Sequence, residues 1–291
     1  MPDTVPTESH SIDALLPGEM AHKAERIGAA KARQDVLSLL TLGVLAGAFI
    51  AFGGIFSTIV AAGAAGELPF GIVRLLSGLV FSLGLILVVV GGAELFTGNN
   101  LIVMAWAGGK VRLSEMLRAW AIVYIGNFIG AAATAIMVFL AGTYALGGGA
   151  VGVAALATAE AKAALPFTEA LFRGILCNVL VCLAVWLCYS ARSTTDKILA
   201  IVPPITAFVA AGFEHSIANM YFLPFGLAIK GFAPDSFWDA IGQTPDGFAA
   251  LDYAALATNL IPVTIGNVIG GVLLVGVVYW FIYLRVRSRA D

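Results

Sequence analysis

Gly212-Phe213-Glu214-His215-Ser216-Ile217-Ala218-Asn219 decides how this chain is read. It sets a carboxylate, an imidazole, a hydroxyl and an amide between two apolar runs, residues 198–211 and 220–229. Ionisable groups at membrane depth are costly, so they face a cavity, a water path or another protein group rather than lipid. A second stretch, Gly92-Ala93-Glu94-Leu95-Phe96-Thr97-Gly98-Asn99, has glycine, glutamate and asparagine at matching places. Both stretches read as interruptions of a membrane helix.

The chain around them is built for lipid. Of its 291 residues, 60% are hydrophobic and 12% charged, about half the charged share of an ordinary soluble domain. The apolar residues come in long runs, which indicates an all-α polytopic membrane protein. Six spans are predicted: 36–62, 72–107 with an interruption at 94–100, 117–141, 168–190, 198–229 with the interruption quoted first, and 256–284. Each is long enough to cross ~30 Å of hydrocarbon, the interrupted two only with both pieces counted. The expected organisation is a leader at 1–35, a six-span body at 36–285 and a tail at 286–291.

The polar, charged start has no cleavable signal pattern, so the first span is expected to act as its own insertion signal. In the leader, Ile12, Leu15, Leu16, Met20, Ala24 and Ile27 recur at helical spacing. That predicts an amphipathic helix on the membrane surface or against the mouth of the protein. Twelve of the sixteen Lys and Arg residues fall in the leader, the 108–118 and 191–197 loops and the C-terminus, which places both termini in the cytoplasm. Cys177, Cys182 and Cys188 share one apolar run. They read as small fillers rather than a disulfide framework or a metal site.

The two halves repeat. Ile125-Gly126-Asn127-Phe128-Ile129-Gly130 is echoed by Ile265-Gly266-Asn267-Val268-Ile269-Gly270, with five of six positions identical. Repeat one covers 36–141 and repeat two 168–284. Three spans per copy is an odd number, so the second copy enters the membrane upside down. Inverted repeats with broken helices in equivalent positions are the layout of transporters and channels with a midplane site.

Side chains then acquire roles. The resumed half-helices are expected to start near Gly98 and Ile217, with their N-termini pointing inward and favouring an anion between them. Thr97 and Ser216 are read as caps for those starts. Glu94 and Glu214 are read as acceptors for loop backbone bonds, with Asn219 beside them in the loop support. Asn127 and Asn267, flanked by glycines four apart, combine close helix packing with amides for an interrupted neighbour. His215 is read as a pore-facing donor that gains or loses a proton near neutral pH. One histidine without partners is not a metal ligand set. Asn178, an amide in an apolar span, must face another helix or a lumen. Phe81, Phe96 and Phe208 lie at or near the interruptions, where aromatics narrow an aqueous path or pack against lipid and helices.

The pattern lacks a nucleophile–base pair, a cofactor loop and a ligand cluster, so it does not read as an enzyme, and no cofactor or nucleic acid is expected. A neutral-solute pore of aquaporin type shares the architecture, but the Asn-Pro-Ala signatures are absent from both interruptions.

With Glu94-Leu95-Phe96-Thr97, the Glu214-to-Asn219 run and both Gly-Asn-x-Ile-Gly copies in view, the chain resembles the formate/nitrite transporter family, nearest its formate channels. The resemblance spans nearly the whole chain, including Leu15-Leu16-Pro17 and the 259–267 segment. It implies an aquaporin-like protomer in a homopentamer of the bacterial inner membrane, with one path per subunit. It implies Thr97, Asn178 and His215 as polar lumen residues. It further implies Phe81, Val181 and Phe208 as an outer constriction and Leu85, Leu95 and Phe96 as an inner one. A mobile gate around 95–100 and a leader that helps close the cytoplasmic mouth also follow. The implied cargo is formate, with nitrite or hydrosulfide as the alternative, passing with proton assistance. Membrane lipid and a cytoplasmic formate-producing enzyme at the leader are the further implied partners.

Overall fold

The computed structural model describes residues 13–64 and 67–285. The start of the predicted leader, with Ile12, and the tail 286–291 lie outside the described residues. Among the described residues all regular structure is helical. Helix α1 (Pro17–Arg33) precedes α2 (Val36–Ala61) and α3 (Phe70–Gly91). A short α4 (Phe96–Asn99) runs through a 3-10 turn, Asn100–Ile102, into α5 (Val103–Ala107). Then come α6 (Leu113–Leu140), α7 (Ala150–Ala163), α8 (Phe167–Ser190), α9 (Thr194–Ala211), α10 (Ser216–Phe232) and α11 (Asp235–Ile241). The last span is composite: α12 (Ala254–Val268), a π-helical stretch Ile269–Val277, and α13 (Val278–Tyr283).

Six of these are long and apolar enough to cross a membrane: α2, α3, α6, α8, α9 and the composite Ala254–Tyr283. Four predicted spans differ from them only at their ends, whereas the second and fifth, predicted as 72–107 and 198–229 with both pieces needed, are matched by α3 and α9, each of span length without its resumed piece. Helix α7 was not anticipated. It is shorter than a span and rich in alanine, and it buries Val151, Gly152, Ala155, Leu156 and Ala159 on one face.

Helix ends follow local chemistry. Asp35 caps α2, its side chain accepting from Ser38 N–H at 2.9 Å. Helices α3 and α9 both end on a glycine in the left-handed region, Gly92 at φ 83° and Gly212 at φ 74°. A side chain there would be strained. In each case the next amide folds back on the same carbonyl, Ala93 N–H to Val88 O and Phe213 N–H to Phe208 O, which ends a helix cleanly inside the protein.

Glycines also set two close helix pairs. A Cβ on Gly47 would lie 2.1 Å from Asn127 O, so α2 and α6 touch backbone to backbone. A Cβ on Gly266 or Gly270 would meet α8 carbonyls at 2.2 Å. Small residues are what let membrane helices approach this closely. Large apolar side chains such as Ile125, Met137, Leu187, Ile261 and Leu273 stay exposed on the outside, as suits helices facing lipid. Helix α1 lies against α5, α6 and α8 and buries Met20, Ala21, Ala24, Gly28 and Ala32. Leu16, expected on that stripe, is exposed because it stands before the first turn as the N-cap.

Candidate functional site

Between α3 and α4, and again between α9 and α10, the chain leaves helical hydrogen bonding while buried. Every freed backbone group then needs another partner. Two asparagines supply most of them. At the first interruption Phe96 N–H donates to Asn127 Oδ1 at 2.9 Å. Asn127 Nδ2 donates to Glu94 O at 2.9 Å and to Gly43 O at 2.8 Å. At the second, Ser216 N–H donates to Asn267 Oδ1 at 2.9 Å. Asn267 Nδ2 donates to Glu214 O at 3.0 Å and to Gly174 O at 2.8 Å. Glu94 N–H and Glu214 N–H complete the match by donating to Leu42 O and Arg173 O, each at 3.2 Å.

The two carboxylates therefore do not accept the loop backbone bonds expected of them; the asparagines do. Each carboxylate instead holds a lysine and a second asparagine. Glu94 Oε2 accepts from Lys31 Nζ at 2.9 Å and Asn99 Nδ2 at 2.7 Å. Glu214 accepts from Lys162 Nζ at 2.9 and 3.1 Å and from Asn219 Nδ2 at 2.6 Å. Asn219 also reaches Asn259 Oδ1 at 2.7 Å. A carboxylate buried this deeply needs a partner charge, because a lone one costs several kcal/mol.

The capping expectation also needs correction. The half-helices start at Phe96 and Ser216, with Leu95 and His215 as N-caps. Thr97 already lies inside α4, and Ser216 Oγ is buried with no partner among the described residues. His215 makes the cap itself, Nδ1 accepting from Ala218 N–H at 3.1 Å. A ring nitrogen that accepts carries no proton, so in the neutral ring the proton sits on Nε2. Nε2 lies 3.0 Å from Thr97 Oγ1. The two interruptions thus meet through one side-chain contact.

A cavity borders each interruption. The leader-side cavity, about 280 Å³, is lined by Leu85, Glu94, Leu95, Lys23, Lys31 and Lys197 among others. Burial, together with the nearby cations Arg192, Lys197 and Arg26, holds the Lys23 ammonium below the usual lysine value. The distal cavity, about 380 Å³, is lined by Phe81, Phe208, His215, Glu214, Lys162 and Arg74 among others. Phe208 stacks on His215 with centroids 6.0 Å apart, and Phe81 meets Phe208 edge-on at 5.6 Å. Phe96 stands apart from Leu85 and Leu95. Its ring packs edge-on against Tyr124 and Trp120, with which it lines an apolar cleft. Thr97, Asn178 and Val181 are buried and line neither cavity.

A family model described as formate/nitrite transporter matches residues 18–281. The chain belongs to the formate/nitrite transporter family. The formate channel FocA of Escherichia coli strain K12 is 47% identical over 274 residues, covering 94% of this chain and 96% of that one. FocA of Haemophilus influenzae is 42% identical, covering 91% and 93%. Among solved structures, a pentameric formate channel with formate bound superposes with a TM-score of 0.82 at 43% identity, covering 86% of this chain and 98% of that one.

Several residues of this family member's site escaped the sequence reading. Lys31 and Lys162 lie far along the chain from their glutamates, so no local pattern joins them. The repeat would have found them: each lysine precedes its glycine, Gly43 or Gly174, by the same 12 positions. Helix α1 and helix α7 thus play matching parts. Arg74 carries no motif of its own in the sequence. It donates to Val209 O and to Ala210 O, two carbonyls in the last turn of α9, where a cation suits the helix dipole.

Proposed function

We propose that this protein is a membrane channel for formate and related small monovalent anions, with passage that depends on pH through His215. The observation that carries the reading is the Thr97 Oγ1–His215 Nε2 contact, which joins two buried helix interruptions, each bordered by a cavity. The E. coli relative named a formate channel, 47% identical, supplies the choice of anion.

In this reading the halves 36–141 and 168–284 form an inverted repeat, extended by α1 and α7, and the matched wiring of the two interruptions supports it. The protomer is aquaporin-like and assembles as a pentamer in the bacterial inner membrane. Both termini are cytoplasmic, so the leader-side cavity opens to the cytoplasm and α1 restricts its mouth. Helices α4 and α10 aim their N-termini at the passage. Phe81, Phe208 and Val181 narrow it on the outer side, Leu85 and Leu95 on the inner side.

An anion drawn towards the lysines loses water at the apolar rings, at a cost of several kcal/mol. At the centre it replaces Thr97 as the partner of the His215 Nε2–H. Handing that proton to the anion requires the ring to be doubly protonated first. The second proton must land on Nδ1, which then releases Ala218 N–H. Protonated formate would leave as the neutral acid, with the ring left as the Nδ1–H tautomer, and the cap of α10 re-forms only once Nδ1 has lost that proton and Nε2 has regained one.

Formate flux into proteoliposomes across a pH series tests this. His215→Asn and His215→Phe should remove the pH dependence. Unchanged flux and pH profile in both variants would refute the role of His215, and no formate flux in the native protein would refute the function.

A further inference from the structure

Asn178, on α8, occupies the place that Gly47 occupies on α2. Each stands four residues after the glycine, Gly174 or Gly43, whose carbonyl receives the wiring asparagine. In the first half Gly47 is bare and α2 rests on Asn127 O. In the second half a side chain fills the gap. Asn178 Nδ2 donates to Asn267 O at 2.7 Å, to Asn100 Oδ1 at 2.8 Å and lies 3.3 Å from Thr97 O. Three acceptors around one amide nitrogen fix which way the amide points. Among the described residues its oxygen receives only the Cys182 thiol, at 3.9 Å, and that thiol also reaches Thr97 O at 3.4 Å.

The helix carrying Asn267 is altered at the same place. Helix α6 runs as regular α-helix well past Asn127. The last span widens into π-helix over Ile269–Val277, immediately beyond Asn267. Such segments recur at functional sites. Gly271 lies on this stretch, and a Cβ there would stand 2.4 Å from Asn178 Nδ2 and 2.9 Å from Asn100 Cβ and Cys182 Sγ. The spacer and the widened helix occur together, in one half.

We propose that Asn178 is a positioning residue. Its amide nitrogen hangs Thr97 and Asn100, of the first interruption, on the carbonyl of Asn267, whose side chain wires the second. It thereby sets where Thr97 meets His215. Asn178 acts through its neighbours and does not hold the anion.

The transport arm of the test rests on the proposed function; the structural arm does not. Asn178→Ala in the full chain, reconstituted in nanodiscs, should exchange backbone hydrogens roughly tenfold faster over 96–102 and 269–277, with the 43–54 stretch of α2 unaffected. The pH profile of formate flux should shift in the same direction as in Thr97→Val, and the double variant should add nothing further. Native protection at both stretches, or an unshifted pH profile, would overturn the proposal. If Asn178→Ala fails to assemble, Gly271→Ala decides the matter, since it displaces the amide from the opposite side and should reproduce both effects. A native protein that carries no formate would remove the proposed function and leave the exchange result to decide the role of Asn178.

Discussion

Lys31 Nζ lies 2.9 Å from Glu94 Oε2, so a helix outside the six spans holds the first interruption in place. The matching pair, Lys162 and Glu214, is deeper: its side chains are 14% and 6% exposed, against 30% and 9% for Lys31 and Glu94.

That difference in burial predicts a ranking. Removing one partner of a buried pair strands the other charge, and solvent softens the penalty where it reaches. Lys162→Met is expected to cost about 3 kcal/mol and Lys31→Met about 1 kcal/mol. Thermal unfolding in detergent measures both, and adding Glu214→Gln or Glu94→Gln should restore part of each loss. Equal losses, or a larger one for Lys31→Met, would contradict the assigned depths.

Asn127 and Asn267 each make three buried hydrogen bonds to backbone across an interruption. Asn127→Ala or Asn267→Ala leaves those groups unpaired, at a cost of about 3 kcal/mol or more. Asn→Asp keeps the acceptor but sets an unpaired buried carboxylate against two carbonyl oxygens, so it should cost at least as much as alanine. The yield of monodisperse oligomer on size-exclusion chromatography reads the order, and an alanine variant as well behaved as the native protein would show that the interruptions stand without this wiring.

Close helix approach makes a third contrast. Gly47→Ala and Gly130→Ala would drive a methyl to 2.1 Å from Asn127 O and 1.9 Å from Val44 O, forcing α2 and α6 apart. A loss of about 1–3 kcal/mol is expected. Gly71→Ala and Gly231→Ala, with nothing within 4 Å of the new carbon, should be neutral or raise stability by up to about 1 kcal/mol. Melting temperatures that fail to separate the two pairs would count against this packing.

The spans and both interruptions were legible because lipid imposes long apolar runs and makes buried polar residues conspicuous. Asn127 and Asn267 were legible because they repeat. Helix α7 was not, since a short alanine-rich helix carries no span-length signal. The partners of Glu94 and Glu214 were hidden by distance along the chain, and the capping of α10 by His215 was obscured because threonine and serine are the commoner caps. Phe96 shows the limit of position alone. It adjoins Leu95 in sequence, yet its ring packs on Trp120 and Tyr124.

Acid should fray the start of α2. The Ser38 N–H bonded to Asp35 holds that carboxyl below the ordinary aspartate value. A folded value below the unfolded one means its stabilisation is in place above the unfolded value and is lost as pH falls through the folded value. Hydrogen exchange in the first turn of α2 should therefore speed up in acid. Asp35→Asn, which still caps, should flatten that response, and Asp35→Ala should show the frayed turn already at neutral pH. A turn equally protected at both pH values would rule the cap out as its support.

The order in which the ribosome delivers these parts has a consequence of its own. Lys31, Glu94 and Asn127 emerge in sequence, so the Glu94 end of the earlier interruption is tied once α6 has been made, while Thr97 and Asn100 still wait for Asn178. The later one waits for Asn267, close to the end of the chain, and Asn178 also lacks one of its acceptors until then. Biogenesis should therefore pass through an intermediate in which the front half is set while the imidazole still hangs loose, and insertion of the final span acts as the latch for both.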